Sequence, residues 1–233
     1  MPSRTLTVDV AAHDPARLAR FWADLLDRSV VAEAGGLLLP GGDGQVGLRF
    51  VAGEPGPVPH YLHLHLTSDS AADQEQRVAT ALRLGGRHLD VGQRPEEGHI
   101  VLADPAGYEF CVIEPGNSYL AGCGPLGELA CDGTRGVGLF WGAALDWPLV
   151  WDRDEETAVQ SPQGGTKVAW GGPPVHPRAG RGPQRFELVC AGADQRAEVE
   201  RLVALGATRL DDDPDGAAVL ADPDGTEFRV RAG

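Results

Sequence analysis

Lysine is nearly absent from this sequence, which has one lysine, Lys167, among its 233 residues. Its 20 Lys and Arg residues are outnumbered by 34 Asp and Glu residues, and the formal net charge is −14. A surface this acidic repels nucleic acid and anionic membranes, so we exclude both as partners. We interpret the preference for arginine, which accompanies many alanines, glycines and prolines, as coding bias rather than as function.

Cysteine is also scarce, and the four cysteines, at positions 111, 123, 131 and 190, form no Cys-x-x-Cys pair. We therefore expect reduced thiols rather than disulfides or a structural zinc site. No segment approaches the roughly 18 apolar residues that span a membrane. The N-terminal residues lack the charged and then apolar pattern of a signal peptide. Together these absences predict a cytoplasmic protein.

What the sequence does contain is an internal repeat. Three segments occur twice, in the same order and at nearly the same separation, which indicates a duplication. The pairs are 21–27 with 140–146, 82–90 with 203–211, and 104–110 with 222–228. The repeat predicts two domains, at 1–115 and 128–233, joined by a Gly- and Pro-containing linker at 116–127.

Each half has two runs of the same local pattern. An alternating apolar strand precedes an amphipathic helix, and three short apolar strands separated by turn residues follow the helix. In residues 61–66, leucines alternate with His63 and His65, so both histidines lie on one face of the strand. We therefore predict an α+β fold of four βαβββ units.

Paired βαβββ units with a Phe-Trp helix and a final Asp-Pro-x-Gly-x-Glu-Phe strand resemble the vicinal oxygen chelate superfamily. That superfamily includes glyoxalase I, bleomycin-resistance proteins, fosfomycin-resistance enzymes and extradiol dioxygenases. The chain is most similar to the glyoxalase-like branch, present in tandem. The resemblance implies two glyoxalase-like domains whose mixed sheets form cups. Each cup would hold a ligand and, in many members, a divalent metal ion.

The resemblance also implies where metal ligands would lie. If successive units share a cup, the family's ligand positions in the first cup fall on Thr7, Arg49, His63 and Cys111. Threonine and arginine are not metal ligands here, whereas a catalytic site usually has three protein ligands. His63 is thus the candidate metal ligand and candidate catalytic residue of an incomplete site. No cofactor is expected, with a divalent metal as the alternative.

The remaining candidate ligand-binding residues lie on strands of both cups. In the second cup the corresponding positions are Glu187 and Arg229, which we expect to pair with each other or with a polar ligand. Arg49 would favour an anionic or carbonyl-bearing ligand if it faces the first cup. Trp151 and Trp170 would either stack a flat ligand or bridge the domains.

Two further candidates, His65 and Cys111, also have structural alternatives. His65 would assist metal binding or proton transfer, or simply form part of the cup wall. Cys111 would be a thiolate ligand, a nucleophile or an inert buried thiol.

Three functions follow from this pattern. The first is a protein of the drug-binding or resistance type, which binds an aromatic or anionic small molecule in a cup without a complete metal site. The second is a divalent-metal-dependent lyase, isomerase or dioxygenase of the glyoxalase I type. The third is a degenerate tandem module for protein interaction, as a monomer or homodimer. The sequence leaves open whether each cup forms within one half or between halves.

Overall fold

The computed structural model describes residues 3–33, 35–42, 44–56, 61–94, 96–176, 181–191 and 194–233. Within these ranges the chain folds into four successive βαβββ units. Unit 1 comprises β1 (Ser3–Ala12), α1 (Pro15–Leu26), β2 (Val31–Glu33), β3 (Gly36–Leu39) and β4 (Gly47–Ala52). Unit 2 comprises β5 (Leu62–Leu66), α2 (Ala71–Arg83), β6 (Arg87–His88), β7 (Ile100–Ala103) and β8 (Glu109–Val112).

The second half has the same order of elements. Unit 3 comprises β9 (Leu126–Cys131), α3 (Arg135–Leu145), β10 (Leu149–Arg153), β11 (Glu156–Gln160) and β12 (Lys167–Trp170). Unit 4 comprises β13 (Gln184–Ala191), α4 (Gln195–Ala204), β14 (Thr208–Arg209), β15 (Ala218–Ala221) and β16 (Glu227–Ala232). The predicted succession of four βαβββ units is therefore confirmed. In the described part of the chain, no helix is long and apolar enough to cross a membrane.

Local sequence explains where the first helix begins and ends. The Asp14 side chain accepts a hydrogen bond from the backbone N–H of Arg17, and Pro15 occupies the first turn, where its missing N–H costs nothing. The helix ends at Asp27, which adopts a left-handed conformation with φ of 51°. Between these ends, Phe21 and Trp22 are both buried in the core.

Two sheets result, and each takes one unit from each half of the chain. Sheet A joins units 4 and 1, with strand order β14-β15-β16-β13-β1-β4-β3-β2. Sheet B joins units 3 and 2, with strand order β10-β11-β12-β9-β5-β8-β7-β6. At the two junctions β1 pairs antiparallel with β13, and β5 pairs antiparallel with β9. We call the faces turned away from the helices cup A and cup B.

This exchange corrects the sequence-based grouping of residues into cups. Arg49 does not share a cup with His63 and Cys111, because β4 belongs to sheet A whereas β5 and β8 belong to sheet B. Arg49 instead faces Glu187 and Arg229 in cup A. Each cup is thus formed between the halves, which the sequence left open, and successive units contact each other through the helix side of the sheets.

A buried hydrogen bond joins the successive units of the first half. The indole Nε1 of Trp22 in unit 1 donates to Oδ2 of Asp104 in unit 2 at 3.1 Å. The other oxygen of Asp104 accepts from the backbone N–H groups of Ala106, Gly107 and Tyr108 at 2.9 to 3.0 Å. Gly107 has a φ of 101°, which glycine adopts without strain.

The second half repeats this hydrogen bond between units 3 and 4. Trp141 Nε1 donates to Asp222 Oδ2 at 3.3 Å, and the Trp141 ring packs edge-on against Phe228 at 4.9 Å. The two repeated motifs of the sequence, the Phe-Trp helix and the Asp-Pro-x-Gly turn, therefore contact each other inside each half.

We predict that Trp22→Phe and Trp141→Phe each lower the free energy of unfolding by about 1–3 kcal/mol, because each leaves a buried carboxylate oxygen without its indole donor. Urea unfolding followed by far-UV circular dichroism measures the change. Trp151→Phe is the matched control, since Trp151 is only half-buried. Equal stability of all three variants would contradict the structural role of these hydrogen bonds.

Candidate functional site

The centre of cup A is occupied by charged side chains that pair with one another. Arg49 Nη2 lies 2.5 Å from Glu187 Oε1, and Arg49 Nη1 lies 3.2 Å from Asp9 Oδ1. Arg229 Nη1 lies 3.3 Å from Glu187 Oε2 and 3.2 Å from Asp9 Oδ2. All four residues are buried, and Glu187 is 0% exposed. The expected pairing of Glu187 with Arg229 is present, within a larger cluster.

Further ion pairs extend this cluster across unit 4. Arg229 contacts Asp213 at 3.1 Å and also binds Asp215, which pairs in turn with Arg231 at 2.7 Å. Arg185 binds Asp213 at 2.8 Å. The charged side chains on the floor of cup A are therefore paired with one another.

The pKa shifts in cup A follow from burial and from these pairs. Burial, reinforced by the charge of Glu187, raises the pKa of Asp9. Burial also disfavours the charged form of Glu187, but Arg49 outweighs it and lowers the pKa of Glu187. Asp9 has no part in capping α1, because the N-cap of that helix is Asp14.

In cup B the alternation of β5 places its side chains as predicted. Leu62, Leu64 and Leu66 are buried on the helix side, and His63 and His65 are partly exposed on the opposite face. Glu109 and Cys111 of β8 alternate in the same way with buried neighbours. Cup B therefore contains both histidines and Cys111.

The strongest contact in cup B crosses from one half of the chain to the other. His65 on β5 is the register partner of Glu128 on β9, and its Nδ1 lies 2.8 Å from Glu128 Oε2. The second oxygen of Glu128 accepts a hydrogen bond from the hydroxyl of Tyr119 at 2.7 Å. Tyr119 belongs to the linker between the halves. Both carboxylate oxygens of Glu128 therefore have a partner.

Register extends this row of side chains to the neighbouring strands. Cys111 on β8 is the register partner of His65, and Lys167 on β12 is the register partner of Glu128. Lys167 donates a hydrogen bond to the backbone carbonyl of Tyr119, and its Nζ lies 4.0 Å from the centre of the Tyr119 ring. The central row of cup B is thus Cys111, His65, Glu128 and Lys167.

His63 lies outside this central row. Its register partner on β9 is Ala130, and its Nε2 lies 3.0 Å from Glu109 Oε2 at the more exposed part of the face. His65, and not His63, stands opposite Cys111. His63, the candidate metal ligand and catalytic residue selected from the sequence, therefore lies two residues along β5 from the central row.

A cavity of about 660 Å³ opens beside the central row, on the unit 3 side of cup B. Its wall includes Tyr119, Glu128, Trp151, Glu156 and Lys167. The Trp151 ring meets the Tyr119 ring edge-on at 5.8 Å. Trp151 and Tyr119 supply the aromatic surface of this wall, and Lys167 supplies a cation.

The second tryptophan predicted for this region, Trp170, also contributes to the wall, but its side chain is only 2% exposed. Its ring atom Cε3 lies 3.2 Å from the position that a Cβ on Gly138 of α3 would occupy. Trp170 thus packs under α3. Trp151 provides the more accessible aromatic surface for stacking a flat ligand.

Burial by itself lowers the pKa of an imidazole, but at His65 the hydrogen bonds with Cys111 and Glu128 outweigh burial and raise the pKa to about 10. Burial, together with the charge of Glu128, raises the pKa of Tyr119, so that its hydroxyl stays a donor. At neutral pH His65 is therefore an imidazolium that is hydrogen-bonded to the Glu128 side chain.

The described residues contain no group of three or more His, Cys, Asp or Glu side chains placed to hold one metal ion. The segment between β12 and β13 includes residues 171–183, of which 177–180 lie outside the described residues. Within the described part of that segment, His176 Nδ1 lies 3.1 Å from Asp132 Oδ2.

Sequence reasoning missed Glu128, Tyr119 and Lys167. Glu128 and Lys167 come from unit 3, and the sequence left open which unit shares a sheet with unit 2. Tyr119 comes from a segment interpreted only as a linker. The single occurrence of lysine was the one signal available, and it had been attributed to coding bias.

The family model described as a glyoxalase-like domain matches residues 5–113 and again residues 128–231. Among curated proteins, no sequence matches the chain. Glyoxalase I from Zea mays has a similar structure, with a TM-score of 0.65 and 14% identity over 98% of this chain and 92% of that chain. A putative dioxygenase from Bacillus subtilis gives a TM-score of 0.60 and 11% identity over 97% of this chain and 84% of that chain. These identities show a shared fold.

We predict that Arg49→Met lowers the free energy of unfolding by about 3–5 kcal/mol, because it removes one of the two buried arginines that pair with both Glu187 and Asp9. Chemical unfolding at pH 7 measures this loss. The control is Arg196→Met, which removes an exposed pair with Glu200 and is expected to change little. A loss no larger than in the control would show that cup A does not depend on this ion pair.

We predict that the His65 imidazolium persists at pH 8 and loses its proton near pH 10 in an NMR titration of the ring. Glu128→Gln removes the carboxylate, and its His65 should titrate closer to the ordinary value of about 6.5. Because the pKa is raised on folding, the stabilisation from this pair is complete below about pH 6.5 and is lost as the pH rises through about 10. Titration of wild-type His65 near 6.5 would contradict the described pairing.

Proposed function

Because this chain belongs to the glyoxalase-like domain family, we propose that it binds a small organic molecule in cup B, without a complete metal site, as drug-binding and resistance proteins do. The observation that carries this proposal is the 660 Å³ cavity, whose wall combines the aromatic surface of Trp151 with a few polar groups. Cavities of this size and composition are typical of small-molecule sites. Cup A, in contrast, is filled by paired ions.

The donor set in cup B is a poor fit for a divalent metal ion. A histidine must be neutral to bind a metal ion. At His65 the effect of burial is outweighed by the hydrogen bonds with Cys111 and Glu128, and the pKa is raised to about 10. His65 Nδ1 is hydrogen-bonded to Glu128 Oε2 at 2.8 Å. Lys167 ends the row with an ammonium group, which has no lone pair to donate.

The corresponding positions of cup A fit a metal no better. Thr7 and Glu187 are register partners, and Glu187 is the partner of Arg229 on the other side. A guanidinium stays protonated and cannot act as a ligand. Glu187 is the one carboxylate in this row, and it already pairs with Arg49, Arg229 and Arg231.

An enzyme of the glyoxalase I or dioxygenase type is the alternative, and the similarity to glyoxalase I from Zea mays favours it. In that case His65, Glu128 and Cys111 would be the donors to examine, instead of His63. Acid–base catalysis by His65 without a metal has weaker support. An efficient base has a pKa near the working pH, whereas the pKa of His65 is about 10.

We predict that the purified protein, exposed to Ni, Zn, Mn or Fe(II) and then desalted, retains less than about 0.1 equivalent of metal. Elemental analysis measures this content, with His65→Gln as the test variant and His63→Gln as its matched control. A thermal-shift screen of small aromatic compounds should still find ligands that stabilise the untreated protein.

Retention of about one equivalent of metal, lost in His65→Gln but kept in His63→Gln, would overturn the metal-free proposal and support the enzyme. Absence of any stabilising compound, together with no retained metal, would remove both small-molecule functions and favour a module for protein interaction.

A further inference from the structure

Lys167 is the one lysine of the chain, and it faces the cavity of cup B. Among the described residues, no carboxylate lies within ion-pair distance of its ammonium group. Its contacts are the backbone carbonyl of Tyr119 and the face of the Tyr119 ring. One neutral acceptor and one ring leave the ammonium with donor capacity and with its positive charge uncompensated.

The nearest carboxylate in register, Glu128, is already engaged. It binds His65 at 2.8 Å and Tyr119 at 2.7 Å, one partner on each oxygen. The imidazolium of His65 balances the charge of Glu128. Lys167 is therefore left without an ion-pair partner in the central row. In a protein with a net charge of −14, a cation left unpaired in a cavity wall is unusual.

The aromatic groups lie next to this cation. The centre of the Tyr119 ring lies 4.0 Å from Lys167 Nζ and 5.8 Å from the centre of the Trp151 ring, so this ring connects the ammonium to the indole. A flat ligand lying against Trp151 would place an acidic substituent within reach of Lys167. An ammonium group favours a carboxylate through a charge-assisted hydrogen bond, which is stronger than a neutral one.

We infer that the ligand of cup B is a planar aromatic carboxylate, whose ring contacts Trp151 and whose carboxylate binds Lys167. This inference rests on the proposed function and specifies its ligand class. It gives the linker a role in binding, because Tyr119 holds Lys167 in place through its backbone carbonyl and its ring. It also replaces the interpretation of the single lysine as a by-product of coding bias.

Arg153 is the competing cation, because its guanidinium lies 5.1 Å from the centre of the Trp151 ring. It is exposed, and it stands opposite Glu156 in the β10–β11 pair. A carboxylate bound to Arg153 would lie at the rim, whereas one bound to Lys167 would lie inside the cavity. Variants of the two residues therefore separate the two positions.

The test is isothermal titration of three probes with one ring system: 1-naphthoate, 1-naphthalenemethanol and 1-naphthalenemethylamine. We expect 1-naphthoate to bind about 10- to 100-fold more tightly than the alcohol, and the amine to bind most weakly. In Lys167→Met this preference disappears while the alcohol binds as before. Lys167→Arg keeps part of the preference, and Arg153→Met keeps all of it.

Two results would overturn the inference while leaving the proposed function intact. The first is equal binding of acid and alcohol to the wild-type protein. The second is a preference for the acid that survives Lys167→Met and is lost in Arg153→Met. If none of the three probes binds, both the ligand class and the small-molecule function of cup B are wrong for aromatic compounds. Thermal unfolding of each variant confirms that it is folded before titration.

Discussion

The hydrogen bond from a buried tryptophan to a buried aspartate is the interaction on which the arrangement of the four units depends. Trp22 and Asp104 belong to different units, as do Trp141 and Asp222, and in each half this contact closes the core between a helix and the turn before the last strand. The two units of one half are thereby held together through the helix side. Their first strands are left free to pair with strands of the other half, and this pairing builds sheets A and B.

The sequence was sufficient for everything that depends on local pattern. The repeat gave the four units, and alternation gave the correct face for His63 and His65. The sequence was insufficient for predicting which strand edges pair, because hydropathy alone does not distinguish β5 from β13 as the neighbour of β1. Arg49 was for that reason grouped with His63, and Glu128 was not considered as a partner of His65. The choice between two histidines on one strand needs the register, which no periodicity specifies.

The two cups show how one scaffold accommodates opposite solutions to burying charge. In cup A, Arg49 and Arg229 both pair with Asp9 and Glu187, so charge is neutralised within the protein. In cup B the row ends on Lys167, which lines a cavity and has no ion-pair partner among the described residues. A filled cup contributes to stability and specificity of folding, whereas an unfilled one keeps the capacity to recognise something from solution. Fold similarity to glyoxalase I does not distinguish these outcomes, because it is carried by the strands and not by the residues on their inner faces.

The exchange of units between halves has an evolutionary consequence. A single half that associated with a copy of itself through the same strand pairs would form two identical cups, and each substitution would appear in both. Once two halves are joined in one chain, a substitution affects one cup alone. Joining the halves in one chain thus releases each inner surface from the requirement to serve the other. Here one inner surface is an ionic core, and the other contains the one lysine of the chain.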